Sequence, residues 1–589
     1  MTVAAPFVRE PAVDSKYLKG SLPEQPLDNH VDFQAVAVKC VASLDHLQSK
    51  HLTDDAFWKD NICMTGTFRT IYSSEAIVTA WTELTAKRSP RNFSITANTS
   101  HPVSLGPGIA WITCSFTFDI KEVPSCKCSG ILSIVPDGQG SYKIWCISTV
   151  LEELHGFSNP DIPPQPQDRP FGDRLDCLIV GGGAAGLGAG ARLQSLGLSY
   201  VIVDKNTNIG DSWAQRYDSA KLHLSKSFSE LPYHREFSEK PYFLTKDDLA
   251  EGYQNFADRW QLNVWMSTSL DSAEWHAEEK DWLVHYNRHG EPGTIKAKHL
   301  VMATGGGVDV PTMPNLPGRD RFSGIVVHSS QYKNPNAFKG KKGIVVGCAN
   351  TGFDIAGDMV DASLASITMI QRGKTAVYPA SDINSLLDIF YNDQADLAIA
   401  DRIVFGGPYP VGRQMFMANA TAKQTEDPGR YDGLRASGFN FFEDKDLLRC
   451  PLERLGGHYL DMGNTKLVAE GKVKIKTGFE PVEYTSNGLR LANGDEVEAD
   501  LIVFATGFRS SMRQSTAELV GQEVADRLQD FWGLDAEGEL RGLAKPIGHP
   551  AIWYLGGGTV TARFHSRFLA LQIQAAIEGM PFEPYTRKF

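Results

Sequence analysis

Residues 176–213 read DCLIVGGGAAGLGAGARLQSLGLSYVIVDKNTNIGDSW, and the whole chain is organised around them. Cys177-Leu178-Ile179-Val180 is a short apolar run of the kind that forms a strand buried on both faces. Gly181, Gly183 and Gly186 follow in G-x-G-x-x-G spacing, and Ala184 and Ala185 open a helix of small residues that runs to Leu196. The three glycines serve a tight turn, a close approach of backbone to a pyrophosphate, and close packing of helix on strand. The helix N-terminus supplies unpaired N–H groups and the positive end of a dipole. A second apolar run, Tyr200-Val201-Ile202-Val203, ends at Asp204 and Lys205, where a carboxylate can accept hydrogen bonds from an adenosine ribose. Strand, glycines, helix, strand and terminal acid in that order predict an α/β, Rossmann-like dinucleotide-binding domain.

The 589 residues are too many for one core and predict two or three domains. A net charge of -12 and the lack of any basic run argue against nucleic acid and against an anionic membrane surface as partners. The nine cysteines are scattered and contain no C-x-x-C, so neither a zinc ribbon nor a flavin-linked dithiol is written here, and no metal site is expected. Cys126-Lys127-Cys128 reads as strand alternation. The N-terminus has no apolar core of signal-peptide length, and no run reaches the roughly 18 apolar residues of a membrane span. These features together read as a cytoplasmic protein with reduced thiols.

Residues 1–30 are Pro-rich and polar, an N-terminal arm. Residues 31–155 form the next unit: helical spacing from Asp32 to Lys50, then a short helix, a strand and another helix over DDAFWKDNICMTGTFRTIYSSEAIVTAWTELTAK. Strands follow near Phe93–Ala97, Ile109–Phe118, Gly130–Val135 and Lys143–Val150. Helices followed by antiparallel strands predict a small α+β domain. Through the pattern around Trp58 and Gly66-Thr67-Phe68-Arg69 it resembles the nuclear-transport-factor/SnoaL-like cone. The resemblance leaves two roles open: a pocket with His51, Asp54, Asp55 and His101 as acid/base groups, or a docking or dimerising domain through which a homodimer forms. Residues 156–172, with five prolines, read as a semi-rigid linker.

Beyond Asp204 the stretch with Gly210, Ser212, Trp213, Tyr217, Lys221-Leu222-His223-Leu224, Lys226 and Phe228-x-x-Leu231-Pro232 resembles the flavin-containing monooxygenase family, nearest to its YUCCA-type branch. Phe322, Gly324, His328 and Tyr332 fit that family's F-x-G-x-x-x-H-x-x-x-[Y/F] fingerprint, with His328 read as fixing a linker between domains; a proton-transfer group is the other reading of His328. Ala303-Thr304-Gly305 and Ala505-Thr506-Gly507 each end an apolar strand. A second glycine turn, Gly347-Cys348-Ala349-Asn350-Thr351-Gly352, is followed by a strand that ends at Arg372 in place of an acid, the choice expected for a 2′-phosphate. The resemblance implies FAD at the first turn, with Gly557 near the end of the chain facing it, and NADPH at the second. It also implies that His223 and Lys226 lie beside the flavin ring, as catalytic candidates; a packed strand residue is the other reading of His223.

The resulting layout is a FAD-binding domain over 173–330, an NADPH-binding domain over 331–500 with an aromatic-rich insertion at 380–475 (a substrate lid or packing), and a second FAD-binding part over 501–589. The activity implied is NADPH-dependent insertion of one oxygen atom of O2 into a small organic substrate through a C4a-(hydro)peroxyflavin. N- or S-oxygenation and oxidative decarboxylation of a 2-oxo acid stay open, as do Baeyer–Villiger oxygenation of a ketone, an NADPH oxidase or flavin reductase, and a non-catalytic NADPH-binding protein.

Overall fold

The computed structural model describes residues 9–28, 30–106, 108–166, 174–305, 310–509 and 511–586. Residues 1–8 and 29 of the expected arm, 167–172 of the expected linker, and residues 173 and 587–589 of the expected FAD-binding parts lie outside the described residues.

Two mostly parallel sheets carry the larger part of the chain. The first runs in the order Val264–Trp265, Tyr200–Val203, Arg174–Val180, Glu291–Met302, Asp281–Arg288, Thr268–His276, and Ile552–Tyr554 adds in parallel to Glu291–Met302. The second runs Ile325–His328, Leu501–Phe504, Lys342–Val346, Ser366–Gln371, Lys474–Thr477, all parallel. Leu178, Ile179, Ile344 and Val345 are wholly buried, as continuous apolar runs demand of parallel strands covered on both faces. Two expected boundaries shift. Ile325–His328 and Leu501–Phe504 belong to the second sheet, so neither 330 nor 500 divides the two sheets, because adjacent strands here are distant in sequence.

The N-terminal unit has a seven-stranded sheet in the order Phe68–Tyr72, Leu52–Asn61, Tyr142–Leu154, Cys126–Pro136, Ile109–Ile120, Pro90–Ile95, with His101–Gly106 also paired to Ile109–Ile120. Its helices start on side-chain caps: Asp32 accepts from Ala35 N before Phe33–Ala42, and Ser73 from Ala76 N before Ser74–Arg88. The short helix expected at the start of the stretch from Asp54 is instead part of the strand Leu52–Asn61. Lys59, Asp60 and Asn61 look like a polar surface in the sequence, yet all three are buried with partners: Lys59 bonds Glu539, Asn61 donates to Gly406 O, and Asp60 accepts from Thr65 and Thr149. Cys126 and Cys128 face the core of their strand with Lys127 exposed between them, the expected alternation. All nine cysteines are free and buried.

The unit is docked by charge. Asp161 accepts from Arg192 on the first glycine helix (2.7 Å), Arg402 on the insertion (2.8 Å) and Arg567 on the C-terminal helix (2.9 Å). Arg402 and Arg567 also bond Glu152 at the end of the last N-terminal strand. Lys59 and Glu539, each 2% exposed, pair at 2.6 Å across the same boundary. Burial alone would raise the pKa of Asp161, but Arg567, Arg192 and Arg402 outweigh it and hold the carboxyl well below its ordinary range. A depressed carboxylate lends stability that is present above the unfolded pKa near 4 and is lost as pH falls through and below it. Asp161→Asn is therefore expected to destabilise the protein by ~3 kcal/mol, the cost of leaving buried charge unpaired. Thermal melts should show the difference from wild type full at pH 7 and shrinking below about pH 4.

Candidate active site

The two glycine turns are built alike. Gly181 (φ +110°) and Gly347 (φ +114°) take a conformation that disfavours side chains, and a Cβ there would lie 2.5 Å from Ala303 O and 2.3 Å from Ala505 O respectively. Each carbonyl belongs to an A-T-G triplet, so each triplet closes its own glycine turn. A Cβ on Gly186 would meet Gly181 O at 1.8 Å, and one on Gly352 would meet Gly347 O at 2.2 Å. Gly183, by contrast, has nothing within 4 Å of its Cβ position, which leaves room for a phosphate. The helices that follow, Ala184–Ser195 and Asn350–Asp361, begin without any side-chain cap, so their first N–H groups are open to an anion. The residues fit two dinucleotides.

Asp204 uses Oδ2 to accept from Gly182 N (2.7 Å) and Oδ1 to accept from Asn206 N (2.8 Å), so it holds the first turn as well as facing it. Ser212 and Trp213 lie on the short helix Asp211–Ala214, with the Arg216 guanidinium 4.5 Å from the Trp213 ring. Thr304 and Gly305 continue the first triplet turn, and Gly557 (φ +93°) packs against Trp532 at the entry to the helix Thr559–Ile577. Thr506 donates to Thr312 O at 2.5 Å. Arg372 is exposed at the end of its strand and has no ion pair among the described residues.

The fingerprint residues form one joint. A Cβ on Gly324 would strike the Phe322 ring at 2.4 Å, and Phe322 stacks on Tyr484. His328 donates from Nε2 to Gly507 O (3.0 Å), and its Nδ1 accepts from Ser330 N (3.1 Å). Burial lowers its pKa. Both ring nitrogens are thereby occupied in tying the strand Ile325–His328 to the second triplet.

The segment after Trp213 is stapled to the second glycine helix. Tyr217 donates to Asp354 Oδ2 (2.6 Å), Ser219 to Asp358 Oδ2 (2.8 Å), and Tyr332 to the same Asp358 oxygen (3.4 Å). His223 lies with Nε2 3.3 Å from Asp354 Oδ1 and has a side chain only 5% exposed. Burial, then the neighbouring charge of Asp354, raises Asp358 to about 6 despite the Ser219 hydroxyl. Asn350, at the start of the helix, accepts from Leu460 N (2.9 Å). The Lys226 ammonium donates to Ser238 O and Lys240 O (3.1 Å), so it braces a loop.

Asp354, Asp358 and Tyr217 complete this site, and no motif singled out the two aspartates; the signal available was their i, i+4 spacing on the glycine helix, which puts both on one face. His51, Asp54, Asp55 and His101 do not join the site: Asp55 accepts from Ser21 (2.6 Å), and His51 Nδ1 from Gln48 N (3.2 Å). In the aromatic insertion Tyr391, Phe439 and Phe441 are buried, and the cavity beside Phe441, Phe442 and Arg430 is about 20 Å³, room for about one water.

Two glycine turns, each closed by its own A-T-G triplet and followed by an uncapped helix, define a protein built for two dinucleotides. The family described as pyridine nucleotide-disulphide oxidoreductase matches residues 178–395. Cys348 is the single cysteine in that range, so no dithiol accompanies the framework there. The chain is 30% identical over 339 residues to the probable indole-3-pyruvate monooxygenase YUCCA4 of Arabidopsis thaliana, covering 57% of this chain and 76% of that protein. It is 27% identical over 399 residues to indole-3-pyruvate monooxygenase YUCCA8 of Oryza sativa subsp. indica, covering 65% and 87%. The flavin-containing monooxygenase of Stenotrophomonas maltophilia aligns over 69% of this chain and 100% of its own, with 18% identity and a TM-score of 0.47. The chain belongs to the class B flavin monooxygenase family and is an FAD- and NADPH-dependent monooxygenase. When bound, the flavin takes hydride from NADPH and activates O2. Among the described residues no helix is long and apolar enough to cross a membrane.

Gly186→Ala should yield protein without flavin colour, because the new methyl overlaps the Gly181 carbonyl. Gly352→Ala should keep the flavin absorbance but raise KM for NADPH by at least about tenfold, ~1.4 kcal/mol. Flavin absorbance on purification and steady-state titration with NADPH read the two separately.

Proposed function

We propose that the protein catalyses oxidative decarboxylation of a 2-oxo acid: the acid, O2, NADPH and a proton give the shortened carboxylic acid, CO2, water and NADP⁺. The observation that carries this reading is the match to proteins named indole-3-pyruvate monooxygenases, at 27–30% identity over 57–65% of this chain. His223, buried at the junction of the two glycine units, lies within the KLHLSK stretch on which the YUCCA-type resemblance rests.

In this reading FAD takes the first glycine turn with Asp204, Lys205, Trp213, Thr304 and Gly557 around it, and NADPH takes the second with Asn350, Thr351, Thr506 and Gly507. Arg372 receives the 2′-phosphate. The reaction requires a site closed to bulk water, since an activated oxygen species is wasted as peroxide wherever water and protons enter freely. The N-terminal unit is an α+β cone of the SnoaL-like kind that serves docking; its half-exposed outer strands Pro90–Ile95 and His101–Gly106 are where a second copy would pair. Nine free, buried thiols support a reducing, cytoplasmic setting.

Incubation with NADPH, 18O2 and aromatic 2-oxo acids should give the shortened acid with one labelled oxygen and CO2 in step with NADPH consumed. Labelled amine or sulfide oxides, or an ester from a ketone, with no turnover of 2-oxo acids, would move the assignment to N- or S-oxygenation or to Baeyer–Villiger chemistry. Arg372→Ala should raise KM for NADPH by roughly 10- to 100-fold while leaving that for NADH nearly unchanged, the loss of a charge-assisted contact of ~1.5–3 kcal/mol.

A further inference from the structure

We propose that Gln371 and Cys348 determine which nicotinamide dinucleotide the second turn takes, by clearing from its sugar edge the carboxylate that Asp204 supplies in the first. The assignment rests on the cofactor arrangement proposed above, with the nicotinamide dinucleotide at the second turn.

Strand register, rather than residue type, identifies the counterpart of Asp204. Val180, the residue before Gly181, pairs with Val203, and Val346, the residue before Gly347, pairs with Ile370. The turns repeat the match: Gly181 N donates to Val203 O (2.8 Å), and Gly347 N to Ile370 O (3.0 Å). Position for position, Asp204 therefore answers to Gln371, one residue before Arg372, and Gly182 answers to Cys348.

The two pairs are built in opposite senses. A Cβ on Gly182 would lie 3.2 Å from both Cβ and Oδ2 of Asp204, so it is the missing side chain that seats the carboxylate against Gly182 N. In the second turn that room holds a side chain. Cys348 is buried, and its thiol donates to Ile370 O at 3.8 Å, beside the strand end. Burial raises the pKa of the thiol, so it stays neutral and brings no charge. Gln371, 2% exposed, is turned off the edge. Its amide nitrogen donates to Asn440 O (2.6 Å) and Thr375 Oγ1 (3.1 Å), and its oxygen accepts from Asn440 N (2.8 Å) and Thr477 Oγ1 (3.3 Å). A carboxylate could not stand in for this amide, because it has no proton to give Asn440 O. Phe439 and Phe441, buried on either side, hold Asn440 in place.

The consequence lies in the charge of the edge. A carboxylate at the end of this strand accepts from the 2′-hydroxyl of an adenosine ribose and repels a 2′-phosphate, whereas a cation accommodates the phosphate. With Gln371 withdrawn, the strand end offers the exposed cations Arg372 and Lys374. Selectivity is thus set from two sides: a cation for the phosphate, and no seat for an acid. The second depends on the insertion, which supplies Asn440.

The test is calorimetric titration of the flavin-loaded protein with NADP⁺ and with NAD⁺, which needs no turnover. Wild type should bind NADP⁺ at least about tenfold more tightly than NAD⁺. In Gln371→Asp the new carboxylate should weaken NADP⁺ at least about tenfold by like-charge repulsion, yet leave NAD⁺ within about threefold, because Cys348 still fills its seat. Adding Cys348→Gly rebuilds the edge of the first turn, and the double variant should bind NAD⁺ at least about tenfold more tightly than either single variant. Gln371→Leu breaks the same contacts without adding charge, so it should melt at a lower temperature and keep the wild-type preference. NAD⁺ affinity that rises as far in Gln371→Asp alone, or that does not rise in the double variant, overturns the proposal, as does a preference lost equally in Gln371→Leu. Gln371→Glu, with nearly the same volume, carries the NADP⁺ arm if the double variant does not fold, and an unaltered NADP⁺ affinity there counts against the proposal. Arg372→Ala separates the two failures. Loss of the preference there, with none of the changes expected at Gln371 and Cys348, overturns the roles of those two residues alone; a wild type without any preference overturns the placement of NADPH at the second turn, and this proposal with it.

Discussion

Asp161 is the point at which the parts of this protein are tied. Its one carboxylate is reached by guanidiniums from the first glycine helix, the insertion and the C-terminal helix, and two of those also hold Glu152 at the end of the N-terminal sheet. Three buried cations around two carboxylates form an arrangement that is costly to break and gains little over apolar packing. Its value lies in register. It sets where the N-terminal unit sits against the flavin-binding sheet, and with Lys59–Glu539 it makes that unit part of one folded body.

Within that frame the cofactor sites repeat a single device. A strand delivers a glycine, the glycine is pressed against an alanine carbonyl of a returning strand, and the helix beyond starts uncapped. The replacement of the middle glycine by Ala349 does not disturb this, since Ala349 takes an extended conformation as the N-cap residue (φ −103°, ψ −170°) and the crowded positions are Gly347 and Gly352. The fingerprint residues brace the second unit from within: His328 at Gly507 and Tyr332 at Asp358 join segments around the second sheet.

What the sequence discloses follows from the range of the forces involved. Glycine spacing, an apolar run before it and a charge at the next strand's end are local, and the two turns were legible residue by residue. The strand Leu52–Asn61 was not, because the burial of Lys59 depends on Glu539, 480 residues away. Asp354 was hidden for the same reason: its meaning comes from Tyr217, 137 positions earlier, and from His223. Lys226 carried the family pattern but turns to backbone carbonyls of its own hairpin, a choice that side-chain type alone does not dictate.

Asn350 opens the second glycine helix, and Asp354 stands four residues on, a rise of about 6 Å. The uncapped N–H groups at the start of that helix and the carboxylate that accepts from Tyr217 are thus rigidly coupled through a single helical turn. A displacement of that helix too small to unseat the nucleotide would still lengthen the 3.3 Å contact to the imidazole. The fold contains an interlock: the segment that carries Tyr217, Ser219 and His223 is in register only while the second glycine helix is home.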